Sequence, residues 1–356
     1  MNTIRYELNK NLEAFFALVR AGLWEQEVRL SSLEIIDFAE VYRLAGAQSV
    51  IGLVAAGIDY VADVRPSKED VLQFVGQTLQ IEQRNISMNS FIEGIVKKMQ
   101  EKSIYALLVK GQGIAQCYER PLWRTSGDID FLMSSDNYEK AKQFMLPLCS
   151  THKSEERYSG HLGLSIDPWY VEIHGSLRTG LSERVDREVD AVQQDVFCEG
   201  KVRSWQNGKT TVFIPAPDND VFFVFTHFIK HLYKEGLTLR QVCDWCRLLW
   251  KYKESLNQEL LESRINKAGL MREWRVFASL SVNYLGMPVE AMPLYDERFK
   301  RKSSKLMNFI LNGYSGNKVK DTWRVGRIFP WKTFCYLPSI FLNVNRLKIK
   351  ERIQGR

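Results

Sequence analysis

Nowhere does the chain approach the roughly 18 uninterrupted apolar residues that a membrane-spanning helix needs. Low-complexity tracts and internal repeats are also missing from its 356 residues. What remains is an ordinary globular chain of about one to three domains, and a hydrophobic share of 45% is enough to build their cores. Cysteine is scarce, with six residues scattered along the sequence. That is no disulfide framework, and it points to a reducing, cytoplasmic setting. The opening stretch MNTIRYELNKNLEAFFALVRAG lacks the character of a signal peptide, because Glu7 and Glu13 interrupt its apolar residues as in an amphipathic helix.

Acidic residues are nearly absent from one part of the chain. Residues 301–356 hold 13 Lys/Arg against 2 Asp/Glu, whereas residues 1–300 hold 36 against 40. A mildly acidic body with a strongly basic tail predicts a polyanionic contact for the tail, either nucleic acid or an anionic membrane surface. The tail also interleaves aromatic residues with its charges, in WRVGRIFPWKTFCYLPSIFLNVNRLKIKERI. Pro330 and Pro338 argue against one long amphipathic helix there, and a C-terminal arm docked on the body with a solvated basic end is the alternative reading.

Hydrophobic periodicity divides the chain into four regions. Residues 1–100 read as helices, with Gly punctuation in SLEIIDFAEVYRLAGAQSVIGLVAAGI. Residues 101–217 change character. IYALLV (104–109) is a short buried strand, followed by KGQG and a short helix, IAQCYE. A loop through Pro121 leads to a second strand, and SSDNYEKAKQFMLPLC follows as a helix. HLGLSID (161–167) and WYVEIHG (169–175) are strands, and KVRSWQ-NG-KTTVFI is a hairpin on an Asn207-Gly208 turn. Residues 218–300 are helical again, and 301–356 form the basic aromatic tail. The fold class expected is α/β (α+β), a small mixed sheet flanked by helical regions.

The stretch Thr-Ser-Gly-Asp-Ile-Asp at 125–130 carries the chemistry. On a strand, residues i and i+2 share a face, so Asp128 and Asp130 project side by side with Ile129 on the other face. Like charges so placed repel, and a divalent cation is a common way to offset them. Glu172, in the alternating WYVEIH strand, can complete a three-carboxylate cluster if its strand neighbours that of Asp130. Hard cations such as Mg²⁺, or Mn²⁺, are held by a few carboxylates together with substrate phosphates, and that arrangement serves phosphoryl or nucleotidyl transfer. A phosphate cradle is offered by Lys110, Gly111, Gln112 and Gly113, where glycine lets backbone N–H groups approach an anion. Arg120, Arg124 and Ser126 are further candidates around the phosphates. His174 shares the face of Glu172, to orient a ligand or to serve a structural hydrogen bond.

These residues carry a resemblance. LLVKGQGIAQCYERPLWRTSGDIDFLM followed by VEIHG is similar to the nucleotidyltransferase superfamily, with its polymerase-β-like fold. More narrowly it resembles a family of largely uncharacterised bacterial nucleotidyltransferases with a Lys-Gly run, then Arg-x-x-Gly-Asp-Ile-Asp, then a carboxylate-x-His strand. HFIKHLYKEGLTLRQVCDWCRLL resembles the helical region of that family. The resemblance implies Asp128, Asp130 and Glu172 as metal ligands, Gly111 and its neighbours at the phosphates of an NTP such as ATP, and His231 with Arg240 near the nucleotide cleft. Where the superfamily commonly has Gly-Ser after the first strand, this chain has Lys110-Gly111-Gln112-Gly113.

Two other groupings are structural by this reading. His227 and His231 share a helix face, and Cys243 and Cys246 stand at i, i+3, but the Phe, Trp and Leu around them read as core rather than a zinc site. Asp244 is expected to bond Arg240 at i, i+4. The function expected is a Mg²⁺-dependent transfer of a nucleoside monophosphate from an NTP to a hydroxyl-type acceptor, which could be a small molecule, an RNA or a protein. The alternatives are a catalytically inactive binding protein on the same fold, and an RNA-directed or toxin-type transferase.

Overall fold

The computed structural model describes residues 2–341, except 34, 65, 154 and 156–159, with side chains from residue 10 onward. The end of the basic tail, residues 342–356, lies outside the described residues. Four helices open the chain: α1 (Asn2–Trp24), α2 (Phe38–Ala47), α3 (Ile51–Ile58) and α4 (Lys68–Glu101). The mixed segment follows as β1 (Leu107–Val109), α5 (Gly111–Ala115), β2 (Ile129–Leu132), α6 (Ser135–Met145), β3 (Thr151–His152), β4 (His161–Ile166), β5 (Trp169–His174), α7 (Glu183–Cys198), β6 (Val202–Asn207) and β7 (Thr210–Pro215). Seven helices complete it: α8 (Pro217–Lys234), α9 (Leu239–Tyr252), α10 (Gln258–Ala268), α11 (Met271–Leu285), α12 (Lys300–Leu311), α13 (Lys318–Gly326) and α14 (Pro330–Phe341). No helix among the described residues is long and apolar enough to cross a membrane.

The strands form one mixed sheet in the order β3-β4-β5-β2-β1-β7-β6. Antiparallel pairs join β3 to β4, β4 to β5, β1 to β2 and β6 to β7, while β2 pairs with β5 and β1 with β7 in parallel. The Asp130 and Glu172 strands are thus neighbours, but parallel ones. A parallel pair needs a crossover, and α6 with the β3–β4 pair supplies it. Direct register sets Asp130 opposite Glu172 and Leu132 opposite His174. The β6–β7 hairpin turns at Gly208, whose φ of 57° suits glycine.

Strand alternation gives the sheet two different faces. Leu108, Ile129, Phe131, Leu164, Val171 and Ile173 point one way into a core with Met88, Ile92 and Met99 of α4 and Tyr138, Ala141 and Met145 of α6. Full burial of each large apolar side chain contributes about 1.5–3 kcal/mol, so this face anchors the sheet. The opposite face carries Leu107, Val109 and Leu132, which join the large core built by the remaining helices. Asp130, Glu172 and His174 belong to this second face, where the sheet meets helices rather than bulk solvent.

The glycines of the N-terminal region are not punctuation. Gly52 and Gly57 lie inside α3. A Cβ on Gly57 would overlap the carbonyl oxygen of Leu18 in α1, and one on Gly52 would overlap that of Trp123. Small residues let these backbones touch. The described part of the tail is not one long helix, since it breaks between α13 and α14, before Pro330. Pro330 opens α14 and Pro338 lies within it, while Leu306, Ile310, Val325, Phe329, Tyr336 and Ile340 are buried in the main core.

Candidate active site

The site begins where β1 ends. Lys110 has a φ of 60° and Gly111 one of 41°. Lysine pays about 1–3 kcal/mol to hold such a conformation, and strain of this kind clusters at functional sites. The turn aims the Lys110 ammonium across to the next strand, where Nζ donates to Asp130 Oδ1 at 2.7 Å. His174 Nε2 lies 2.9 Å from the same oxygen and 3.5 Å from Glu172 Oε2. The His161 ring stacks on that of His174 at 4.7 Å, and its Nε2 stands 3.1 Å from Glu172 Oε2. One oxygen from each of Asp128, Asp130 and Glu172 lies within 4.8 Å of the others.

Charge in this cluster is out of balance. Burial disfavours ionisation of Asp130, yet the Lys110 ammonium and the His174 hydrogen bond outweigh it and hold the carboxyl below the ordinary range. Asp128, two residues back along the chain, is pushed up by the Asp130 charge and then by partial desolvation of its carboxyl. Burial opposes the charge on Glu172 too, and the hydrogen bond with His161 outweighs it. Burial keeps His174 below its ordinary value despite Asp130, so it acts as a neutral ring donating Nε2–H to that carboxylate. Three carboxylates therefore converge around the Lys110 ammonium, and Glu172 and Asp128 also feel the charge of Lys153. The donor set is all oxygen, as Mg²⁺ or Mn²⁺ takes, and a divalent cation among Asp128, Asp130 and Glu172 would relieve the repulsion that perturbs Asp128. The residues present fit such an ion.

Other expected site residues are placed differently. Gln112 and Gly113 are buried in α5. The Gln112 amide donates to Asn85 Oδ1 at 2.8 Å, and Ser126 Oγ donates to the same atom at 2.5 Å. Asn85 in turn donates to the carbonyls of Leu122 and Arg124. Both residues tie the loop before β2 to α4 and α5. Arg124 is buried in a bidentate pair with Asp244, with Nε and Nη2 each 2.7 Å from a carboxylate oxygen. Arg120 lies over the Trp123 ring and donates to Asp59. Asp244 thus bonds Arg124 and Tyr118, not Arg240, whose Nη1 donates to the Thr125 carbonyl. His231 lies between His227 and Glu235. His227 is the ring nearer the cluster: burial first, and then the Lys110 charge, keep it well below its ordinary value. Among the described residues the two His and Cys243 with Cys246 form no metal-ligand group.

Three contributors had no clear sequence signal. His161 reads as the first residue of a strand, His227 as part of an apolar helix, and Asn85 as one of many polar residues in α4. Only the alternation of β4 against β5, once their register is known, could have placed His161 beside Glu172. A cleft walled in part by Tyr60, Trp123, Thr125 and Arg240 opens next to the loop before β2, and none of the three carboxylates lines it. Thr125 is three residues from Asp128, which bounds their separation at roughly 11 Å of extended chain. Arg240 Nε is buried and has no hydrogen-bond partner among the described residues.

A family model described as "Uncharacterised nucleotidyltransferase" matches residues 34–286. No curated protein and no solved structure matches the chain.

Proposed function

For a chain that belongs to the uncharacterised nucleotidyltransferase family, we propose a Mg²⁺-dependent transfer of a nucleoside monophosphate from an NTP to a hydroxyl-bearing acceptor, with release of pyrophosphate. The observation that carries this reading is the convergence of Asp128, Asp130 and Glu172 within 4.8 Å, opposite a strained turn that delivers Lys110. Asp128, Asp130 and Glu172 would hold the cation. Bound there, Mg²⁺ supplies neutralisation of phosphate charge and a lowered pKa for a coordinated hydroxyl.

The chain's own groups do the remaining work. Lys110 is bonded to Asp130 within the cluster and meets the charge of the phosphates, with the backbone of Gly111 beside it. Asp130 and Glu172 are held ionised, which suits them to bind a cation and makes them weak bases. Glu172 is assigned to the metal set with Asp128 and Asp130. His174 and His161 orient Asp130 and Glu172 from the side, as outer partners of metal ligands do. The acceptor would enter along the cleft walled by Trp123, Thr125 and Arg240, next to the loop that precedes Asp128.

The test is a transfer assay with each NTP labelled on its α-phosphate, paired with thermal shift in Mg²⁺. A ligand that binds the native state raises its melting temperature. The wild type is expected to show a Mg²⁺-dependent shift with at least one NTP, lost in Asp128→Asn/Asp130→Asn. If the double variant shifts as the wild type does, the carboxylates are not the nucleotide site and the reading is wrong. A shift without label transfer to any acceptor favours the inactive binding protein.

A further inference from the structure

The C-terminal helices carry a second surface with no part in the site above. α13 and α14 form an antiparallel hairpin: Phe329 closes its turn, and Lys318, at the start of α13, reaches to 5.7 Å from the ring of Phe341, at the end of α14. The inner side of the hairpin is firmly seated. Val325, Phe329, Tyr336 and Ile340 are buried, and Tyr336 meets Tyr233 of α8 edge-on at 4.9 Å. Asp321 is fully buried and accepts from the backbone N–H and hydroxyl of Ser315. The hairpin's orientation is therefore set by its buried face.

The outward side is the reverse of what a solvated helix shows. Val319 is 68% exposed, Trp323 62%, Trp331 69%, Phe334 66% and Phe341 38%. On α14 the outward residues Trp331, Phe334, Pro338 and Phe341 recur at helical spacing, and Cys335 is exposed between them. Cations flank the stripe: Arg327 stacks over Trp323 at 4.0 Å, and Lys320 is exposed on the same helix, whereas Lys332 turns inward to the Tyr336 hydroxyl. The described chain ends at Phe341, within this stripe, and residues 342–356 add five Lys/Arg against one Glu.

We infer that the outer face of the α13–α14 hairpin is a docking surface for an anionic lipid bilayer, lying in the interface with its aromatic side chains among the acyl-chain boundary and its cations at the headgroups. Trp and Phe on one side with Lys and Arg alongside is the composition such interfacial helices use. Charge complementarity with acidic headgroups is supplied by the same segment. Nucleic acid is the less favoured partner. Its binding proteins place cations in a groove along the backbone and stack bases on rings, whereas these rings stand on the outside of two helices beside aliphatic Val319 and Pro338.

The experiment is co-sedimentation of the full chain with equimolar phosphatidylcholine–phosphatidylglycerol vesicles, with pure phosphatidylcholine vesicles and a single-stranded RNA homopolymer as controls. The comparison is with Trp331→Ser/Phe334→Ser. Both side chains are exposed, so the variant is expected to keep the wild-type melting temperature. The expected result is binding to the mixed vesicles that falls at least tenfold in the variant and is weaker on pure phosphatidylcholine. Vesicle binding unchanged in the variant overturns the assignment of this face. Absence of vesicle binding, with or without RNA binding, overturns the proposal itself. None of these outcomes depends on nucleotidyl transfer.

Discussion

Asp244→Leu isolates the contact that positions the loop in front of Asp128. Asp244 lies on α9 and Arg124 three residues after Pro121; both side chains are almost wholly buried, 5% and 6% exposed. Burial disfavours the charge on Arg124, and the Asp244 carboxylate outweighs that cost. Removing the carboxylate leaves a guanidinium buried without a counter-charge, next to Arg240, which also loses the attraction of Asp244. Breaking a buried pair on one side costs about 3–5 kcal/mol. Unfolding entropy near 2.1 cal/mol/K per residue amounts to roughly 0.75 kcal/mol/K for 356 residues. The melting temperature should then fall by about 4–7 °C, measured calorimetrically in EDTA.

The control is Arg124→Met/Asp244→Leu. Replacing both members of a buried pair with apolar residues of similar volume is often close to neutral. The double variant should therefore recover most of the loss, less about 1–3 kcal/mol for the Tyr118 hydroxyl that also donates to Asp244. A fall under about 1 °C in the single variant, or no recovery in the double one, would refute the argument that an uncompensated charge dominates here.

Two further predictions rest on the same kind of reasoning. Lys110→Met removes the ammonium that holds Asp130 ionised. In the wild type this depressed carboxyl contributes stability above the ordinary aspartate pKa of about 4, lost as pH falls through the folded value. Asp130 titrates higher in the variant, so the melting-temperature gap between the two proteins in EDTA should be large at pH 7 and close on acidification; a constant gap would show that the pair is not electrostatic. Gly57→Ala gains about 1 kcal/mol of intrinsic helix propensity, but its Cβ overlaps the Leu18 carbonyl, and overpacking against a backbone that cannot rotate away costs about 1–3 kcal/mol or more. Net destabilisation is expected in a denaturant titration, and stabilisation would mean that α1 and α3 are less closely packed.

Features carried by adjacent residues were legible in the sequence. The period of two in WYVEIH and the Asn207-Gly208 turn depend on local backbone geometry, and β5 and the β6–β7 hairpin lie where that geometry puts them. The carboxylate pair was legible for the same reason: Ile129 enters the apolar core because its neighbours turn the other way. The parallel pairing of β2 with β5 was not, since the direction of a neighbour depends on the crossover through α6, β3 and β4 and not on the strand itself. β3, two residues long, is too short to show a period, whereas α7 does show one, in Val185, Val189, Val192 and Val196, and went unread.

The largest departures concern polar side chains whose partners are distant in sequence. Arg124, Ser126 and Gln112 stand near the carboxylate pair in the chain, and proximity suggested phosphate contacts. Each instead satisfies a buried partner: Asp244 lies 120 residues from Arg124, and Asn85 lies 41 from Ser126 and 27 from Gln112. Burial forces this outcome, because an unpaired guanidinium or amide in the interior costs more than any single hydrogen bond returns. Sequence names which residues are polar, but only the fold decides which of them are buried and must be satisfied inside. Of the cations named near Asp128 in the chain, Lys110 is the one joined to the carboxylate cluster itself, by its bond to Asp130.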